Sequence, residues 1–72
     1  MDKHHKIVAL HNLKTRPQWA IALYLNTYNG QNTYHVARVN PKNQYLRIDG
    51  PFTTEEAGRA AANREWISDN AA

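Results

Sequence analysis

Large apolar residues recur at every second position through Trp19, Ile21, Leu23 and Leu25. A period of two predicts a β-strand with one buried face. Upstream, Ile7-Val8-Ala9-Leu10 is a short apolar run with β-branched members, and it predicts a second strand. Thr15-Arg16-Pro17 separates the two. Residues 1–5 are polar and are expected to fray.

Turn residues extend the pattern. Asn29-Gly30 follows the periodic strand. Both residues tolerate positive φ, so the pair predicts a two-residue type I′ hairpin. The turn sets the register: Tyr28 opposite Gln31, Leu25 opposite Tyr34, Leu23 opposite Val36, and Ile21 opposite Arg38. Tyr24 then faces His35, and Ala22 faces Ala37, on the other side of the sheet. Asn40-Pro41-Lys42-Asn43 predicts a type I turn with Asn43 in a left-handed bulge. That loop pairs Asn40 with Gln44, Arg38 with Leu46 and Val36 with Ile48. A two-residue loop would put Leu46 and Ile48 on the wrong face, so the apolar pattern selects the bulged turn.

Asp49-Gly50-Pro51 is expected to end the sheet, and a helix follows. Thr53 is the expected N-cap, with Glu56 completing a capping box and Phe52 and Ala57 in staple positions. The helix is expected to run to about Ser68 or Asp69. Its buried stripe is expected to hold Ala57, Ala60, Ala61 and Ile67. Trp66 projects away from that stripe, beside Ala62 and Arg59. Either it covers the N-terminal strand or a sheet edge, or it anchors a partner together with Arg59. The elements sum to an α+β fold: a three- or four-stranded antiparallel sheet with one C-terminal helix packed on one face.

Length limits the ambition of this fold. Seventy-two residues make a single domain with one small core and marginal stability. There is no cysteine, which excludes disulfides, thiolate catalysis and cysteine-based zinc sites. His4, His5, His11 and His35 show no zinc-site spacing, and Gly30, Gly50 and Gly58 form no phosphate loop. No enzyme activity, cofactor or metal is expected. Nor is there a membrane span or signal-peptide core, so a cytoplasmic chain without membrane association is expected.

Charge then singles out a surface. Residues 1–48 hold seven bases against one acid, a net +6, whereas residues 49–72 hold two bases against five acids, a net −3. The sheet face away from the helix is expected to carry Ala20, Ala22, Tyr24, His35, Ala37, Val39, Tyr45 and Arg47. Aromatic rings stack on bases while cations neutralise phosphates. Tyr24, His35, Tyr45 and Arg47 are therefore candidate nucleic-acid contacts, with Lys14, Arg16 and Lys42 reaching phosphates from flanking turns.

The stretch from Tyr34 through Tyr45-Leu46-Arg47-Ile48-Asp49-Gly50-Pro51-Phe52 to Ala61 resembles the end of a β-β-β-α layout. It is similar to the arm-type DNA-binding domains of tyrosine recombinases and to plant ethylene-response domains. It is similar also to HicB-type antitoxin modules and to small phage-encoded inhibitors. In the DNA-binding families a three-stranded sheet reads DNA and an alanine-rich helix backs it; here Arg47 and Tyr45 occupy the corresponding reading positions.

The leading expectation is a small non-enzymatic protein of phage or mobile-element type that binds nucleic acid through this sheet face. The alternative is an inhibitor or regulator that binds an acidic host protein through the sheet face, a sheet edge or Trp66. The small core, the free edge and Trp66 also leave room for a homodimer.

Overall fold

The computed structural model describes residues 3–71. Four strands form one antiparallel sheet in sequence order: β1 (Lys3–Asn12), β2 (Ala20–Tyr28), β3 (Gln31–Val39) and β4 (Tyr45–Phe52). A single helix, α1 (Glu55–Ala71), packs across β2, β3 and β4. The fold is α+β, an open four-stranded sheet with its helix on one face.

The β2–β3 hairpin has the register its turn dictates, from Tyr28↔Gln31 through Tyr24↔His35 to Ala20↔Val39. Asn29 and Gly30 take φ of 52° and 78°, the left-handed pair of a type I′ turn. The β3–β4 turn also closes as its residues require. Asn40 N–H donates to Gln44 O, and Asn43 stands at φ 61°. The Asn40 side chain stiffens it by accepting from the backbone of Lys42 and Gln44.

β1 is longer than its apolar run. Residues 3–5, expected to fray, pair with Tyr28, Thr27 and Asn26. The long β2 partner supplies backbone hydrogen bonds whatever the side chains are, so pairing overrides local propensity. Met1 and Asp2 lie outside the described residues. A bulge at Val8 breaks the alternation: Ile7 faces Tyr24 on one side of the sheet, and Ala9 faces Leu23 on the other.

β4 likewise continues past its expected end. Asp49-Gly50-Pro51 lies within the strand, and Phe52 pairs with Tyr34. The pairing slips after Arg47, so Val36 faces Asp49 rather than Ile48. Ile48 is the extra residue and turns onto the core. Leu46, expected in the core, is exposed opposite Arg38.

The core lies between sheet and helix. Leu13, Ile21, Leu23, Val36, Ala61 and Ala62 are buried, with Trp19, Tyr34, Phe52 and Trp66 packed around them. The helix starts one residue later than its capping pattern suggests. Thr54, not Thr53, is the N-cap: its Oγ1 accepts from Ala57 N at 3.2 Å. The buried stripe is also rotated, to Gly58, Ala61, Ala62 and Asp69, leaving Ala57, Ala60 and Ile67 outside. Gly58 sets this phase. A Cβ there would stand 2.8 Å from Leu23 Cδ1 and 3.0 Å from Tyr34 Cβ, so the helix backbone lies directly on the sheet.

Polar contacts fix the helix's C-terminal half where the core is thin. Arg38 of β3 donates from Nε to Asp69 Oδ2 at 2.9 Å and from Nη2 to Asp69 Oδ1 at 3.2 Å. Glu65 stands 3.8 Å from the same guanidinium. The Asp69 hydrogen bonds raise the Arg38 pKa. Lys14 N–H donates to Asn70 Oδ1, and Trp66 Nε1–H donates to Asn12 O.

Candidate interaction face

The opposite side of the sheet carries no helix. The hairpin register places Ala20 beside Val39, Ala22 beside Ala37, and Tyr24 beside His35. β4 adds Tyr45 next to Val39 and Arg47 next to Ala37. β1 adds Ile7 next to Tyr24 and Leu10 next to Ala22. The small residues form a floor, since Ala20, Ala22, Ala37 and Val39 are buried among taller neighbours. The rim is apolar and open: Ile7 is 46% exposed, Leu10 49% and Tyr45 47%. A shallow depression of about 420 Å³ lies among His5, Ile7, Tyr24 and Tyr45.

His35 is built into this face rather than displayed on it, being only 3% exposed. Its ring stacks on Tyr24, with centroids 5.2 Å apart and planes 24° from parallel. Arg47 Nη1 lies 3.3 Å from His35 Nδ1, and Thr33 Oγ1 lies 3.0 Å from Nε2. A guanidinium can only donate, so Nδ1 accepts, and the proton sits on Nε2 facing the hydroxyl. Burial, the Arg47 charge and the His5 charge, in that order, hold the His35 pKa below its ordinary value of 6.5. His35 is thus a neutral prop that positions Tyr24 and Arg47.

That assignment carries a pH dependence. Below the ordinary value the unfolded chain takes up the His35 proton before the folded chain does. Stability from this group is therefore complete above pH 6.5 and is lost as pH falls through the folded value. The urea midpoint should drop between about pH 7.5 and pH 5, and His35→Gln should reduce that drop. A midpoint with the same pH dependence in both proteins contradicts the assignment.

The other predicted site residues are dispersed. Lys14 Nζ lies over the Trp66 ring at 5.5 Å, and Arg16 Cζ over the Trp19 ring at 5.6 Å. Both indoles pack against the helix-side core, so these cations are drawn to the other layer. Lys42 sits exposed in the β3–β4 turn. Arg59 pairs with Glu55 on the helix surface at 2.7 Å. Trp66 is half-buried and seals the helix against the end of β1. The face thus gathers Tyr24 and Arg47 around His35, with Tyr45 beside Val39 and without Lys14 or Arg16.

Sequence reasoning missed the β1 contribution of His5, Ile7 and Leu10. No tight turn fixes the β1 register, because residues 13–19 intervene, and the Val8 bulge then changes the face. The exposed apolar pair Ile7 and Leu10 was the available signal.

Among the described residues no cluster of three or more metal-ligating side chains occurs, and no helix is long and apolar enough to cross a membrane. No protein-family model, curated protein or solved structure matches this chain, so its functional reading is built on its own residues.

Proposed function

We propose that this chain is a small non-enzymatic binding module that docks its helix-free sheet face onto a protein partner. The partner surface would be apolar, with an acidic group placed to meet Arg47. The observation that supports this reading is the buried floor of Ala20, Ala22, Ala37 and Val39 inside the half-exposed rim of Ile7, Leu10 and Tyr45. A contiguous apolar patch with a polar rim is the composition of a docking surface. Arg47 is a basic strand residue on this face, and held by His35 it is suited to a single carboxylate.

Nucleic-acid binding is the second reading. It is favoured by the joint presence of Arg47, Tyr24 and Tyr45 on one face, with Lys42 in the adjoining turn. It is weakened by the placement of Lys14 and Arg16 against helix-side indoles.

The two readings separate in one experiment. The chain is immobilised, a nuclease-treated lysate of the source cells is passed over it, and duplex DNA is titrated across a salt series in parallel. Docking predicts capture of a protein that survives nuclease. Leu10→Asp and Tyr45→Asp should each weaken that capture by at least about tenfold with unchanged circular dichroism, since rim anchors contribute roughly 2 kcal/mol. DNA binding that falls steeply with salt and is lost in Arg47→Ala favours the second reading.

A further inference from the structure

We propose that the groove between β1 and α1, on the helix side of the sheet, binds a small aromatic carboxylate. This site lies on the opposite side of the sheet from the docking face argued above and is independent of it.

The groove follows from how the helix is seated. Gly58 lets α1 lie directly on Leu23 and Tyr34, and the helix packs over β2, β3 and β4. The flank over β1 stays open, and a groove of about 310 Å³ remains there. Small-molecule sites begin at roughly 300 Å³.

Its floor and one wall are apolar and fixed. Leu23 and Ala62 are buried at its base, and Ala9 is small enough to leave the space unfilled. Trp66 supplies an aromatic wall. Its ring is held in place, because Nε1–H donates to Asn12 O at 3.0 Å. A flat ring packs well against a fixed indole, in offset or edge-to-face geometry. A preformed apolar cleft with few polar groups is the composition of a small-ligand site.

Charge selects an anion. On β1, Lys6 stands opposite Leu25 and His11 opposite Ile21, so both side chains lie on the helix side and flank Ala9. Lys14 Nζ lies 5.5 Å from the centroid of the Trp66 ring. Arg59 and Asn63 form the rim on the helix. The Arg59 charge is offset by Glu55 at 2.7 Å, but none of the residues lining the groove is acidic. The unopposed charge therefore comes from the two lysines. A carboxylate at the mouth of the groove meets these cations while its ring covers Leu23 and Ala62 against Trp66. A neutral ring gains only the apolar contact.

The test titrates cinnamate into the isotopically labelled full chain, with cinnamamide as its neutral isostere. Cinnamate should shift the Ala9 and Ala62 amides and the Trp66 indole, and the amide should bind at least about tenfold more weakly. Raising the salt concentration should weaken cinnamate, because both lysines are exposed. Lys6→Gln combined with Lys14→Gln should weaken it by about tenfold with unchanged circular dichroism. Ala9→Leu, which fills the groove, should weaken acid and amide alike, whereas Tyr45→Asp should leave cinnamate binding intact. Three results overturn the proposal: no response of these signals at millimolar cinnamate, equal binding of acid and amide, or shifts centred on Ala22, Ala37 and Tyr45. Because Tyr45→Asp disables only the helix-free face, failure of one surface is distinguishable from failure of the other.

Discussion

Replacing Gly50 with alanine is expected to remove about 3 kcal/mol of stability. Two independent costs combine at this position. Gly50 stands at φ 113°, a conformation that L side chains rarely adopt. A Cβ would also lie 2.9 Å from Tyr34 O and 2.9 Å from His35 Nδ1. The carbonyl belongs to the β3 backbone and cannot turn aside, so strand β4 must move. A domain of this size holds only roughly 4–11 kcal/mol in total, and the melting temperature should fall by at least ~10 °C. The effect should also reach the interaction face, because the crowded nitrogen is the one that accepts from Arg47. Displacing the strand should let His35 titrate closer to its ordinary value. Thermal melts and an imidazole titration by NMR read both effects. A melting temperature within about 2 °C of the parent contradicts this account of the β3–β4 packing.

The second large effect concerns the ion pair under the helix's last turns. Asp69→Ala should cost about 2 kcal/mol in urea denaturation. Asp69 meets Arg38 in a two-point fork, and the side chains are 12% and 31% exposed. Removing the carboxylate leaves a largely covered guanidinium with Glu65 at 3.8 Å as its remaining counter-charge. Arg38 keeps some solvent contact, which lowers the cost below that of a fully buried pair. The surface pair Arg59–Glu55 supplies the internal comparison. Both of its members are about half exposed, so Glu55→Gln should cost under ~0.5 kcal/mol despite the 2.7 Å contact. Equal costs for the two variants would show that Asp69 does not anchor the helix.

These predictions draw on features of unequal legibility. The β2–β3 hairpin could be read residue by residue, because Asn29-Gly30 permits one turn geometry and the period-two pattern permits one register. The Asn40–Asn43 loop was legible for the same reason. Past these turns, bulges intervene. Nothing in the hydropathy of Val8 or Ile48 marks them as the extra residues of their strands, because both are apolar and both reach the core. The helix phase was misread because Gly58 carries almost no hydropathy yet makes the closest approach, while Asp69 is polar yet buried by its partner Arg38. On the candidate face, Tyr24, His35, Tyr45 and Arg47 were grouped correctly from register alone. Their roles were not legible. That His35 is covered and neutral depends on Gly50, Thr33 and Arg47 converging on it in space. That Lys14 and Arg16 leave the face depends on two indoles from the other layer.

The central claim is that the helix-free face docks a protein partner. Its most direct test is photo-crosslinking in cells of the source organism, with a photoreactive amino acid placed singly at Leu10, Tyr45 and Ala60. Leu10 and Tyr45 lie on the rim of the face, and Ala60 is exposed on the helix. The account predicts one crosslinked protein shared by Leu10 and Tyr45 and absent at Ala60. A shared adduct with nucleic acid, or crosslinking at Ala60 in preference to both rim positions, would contradict it.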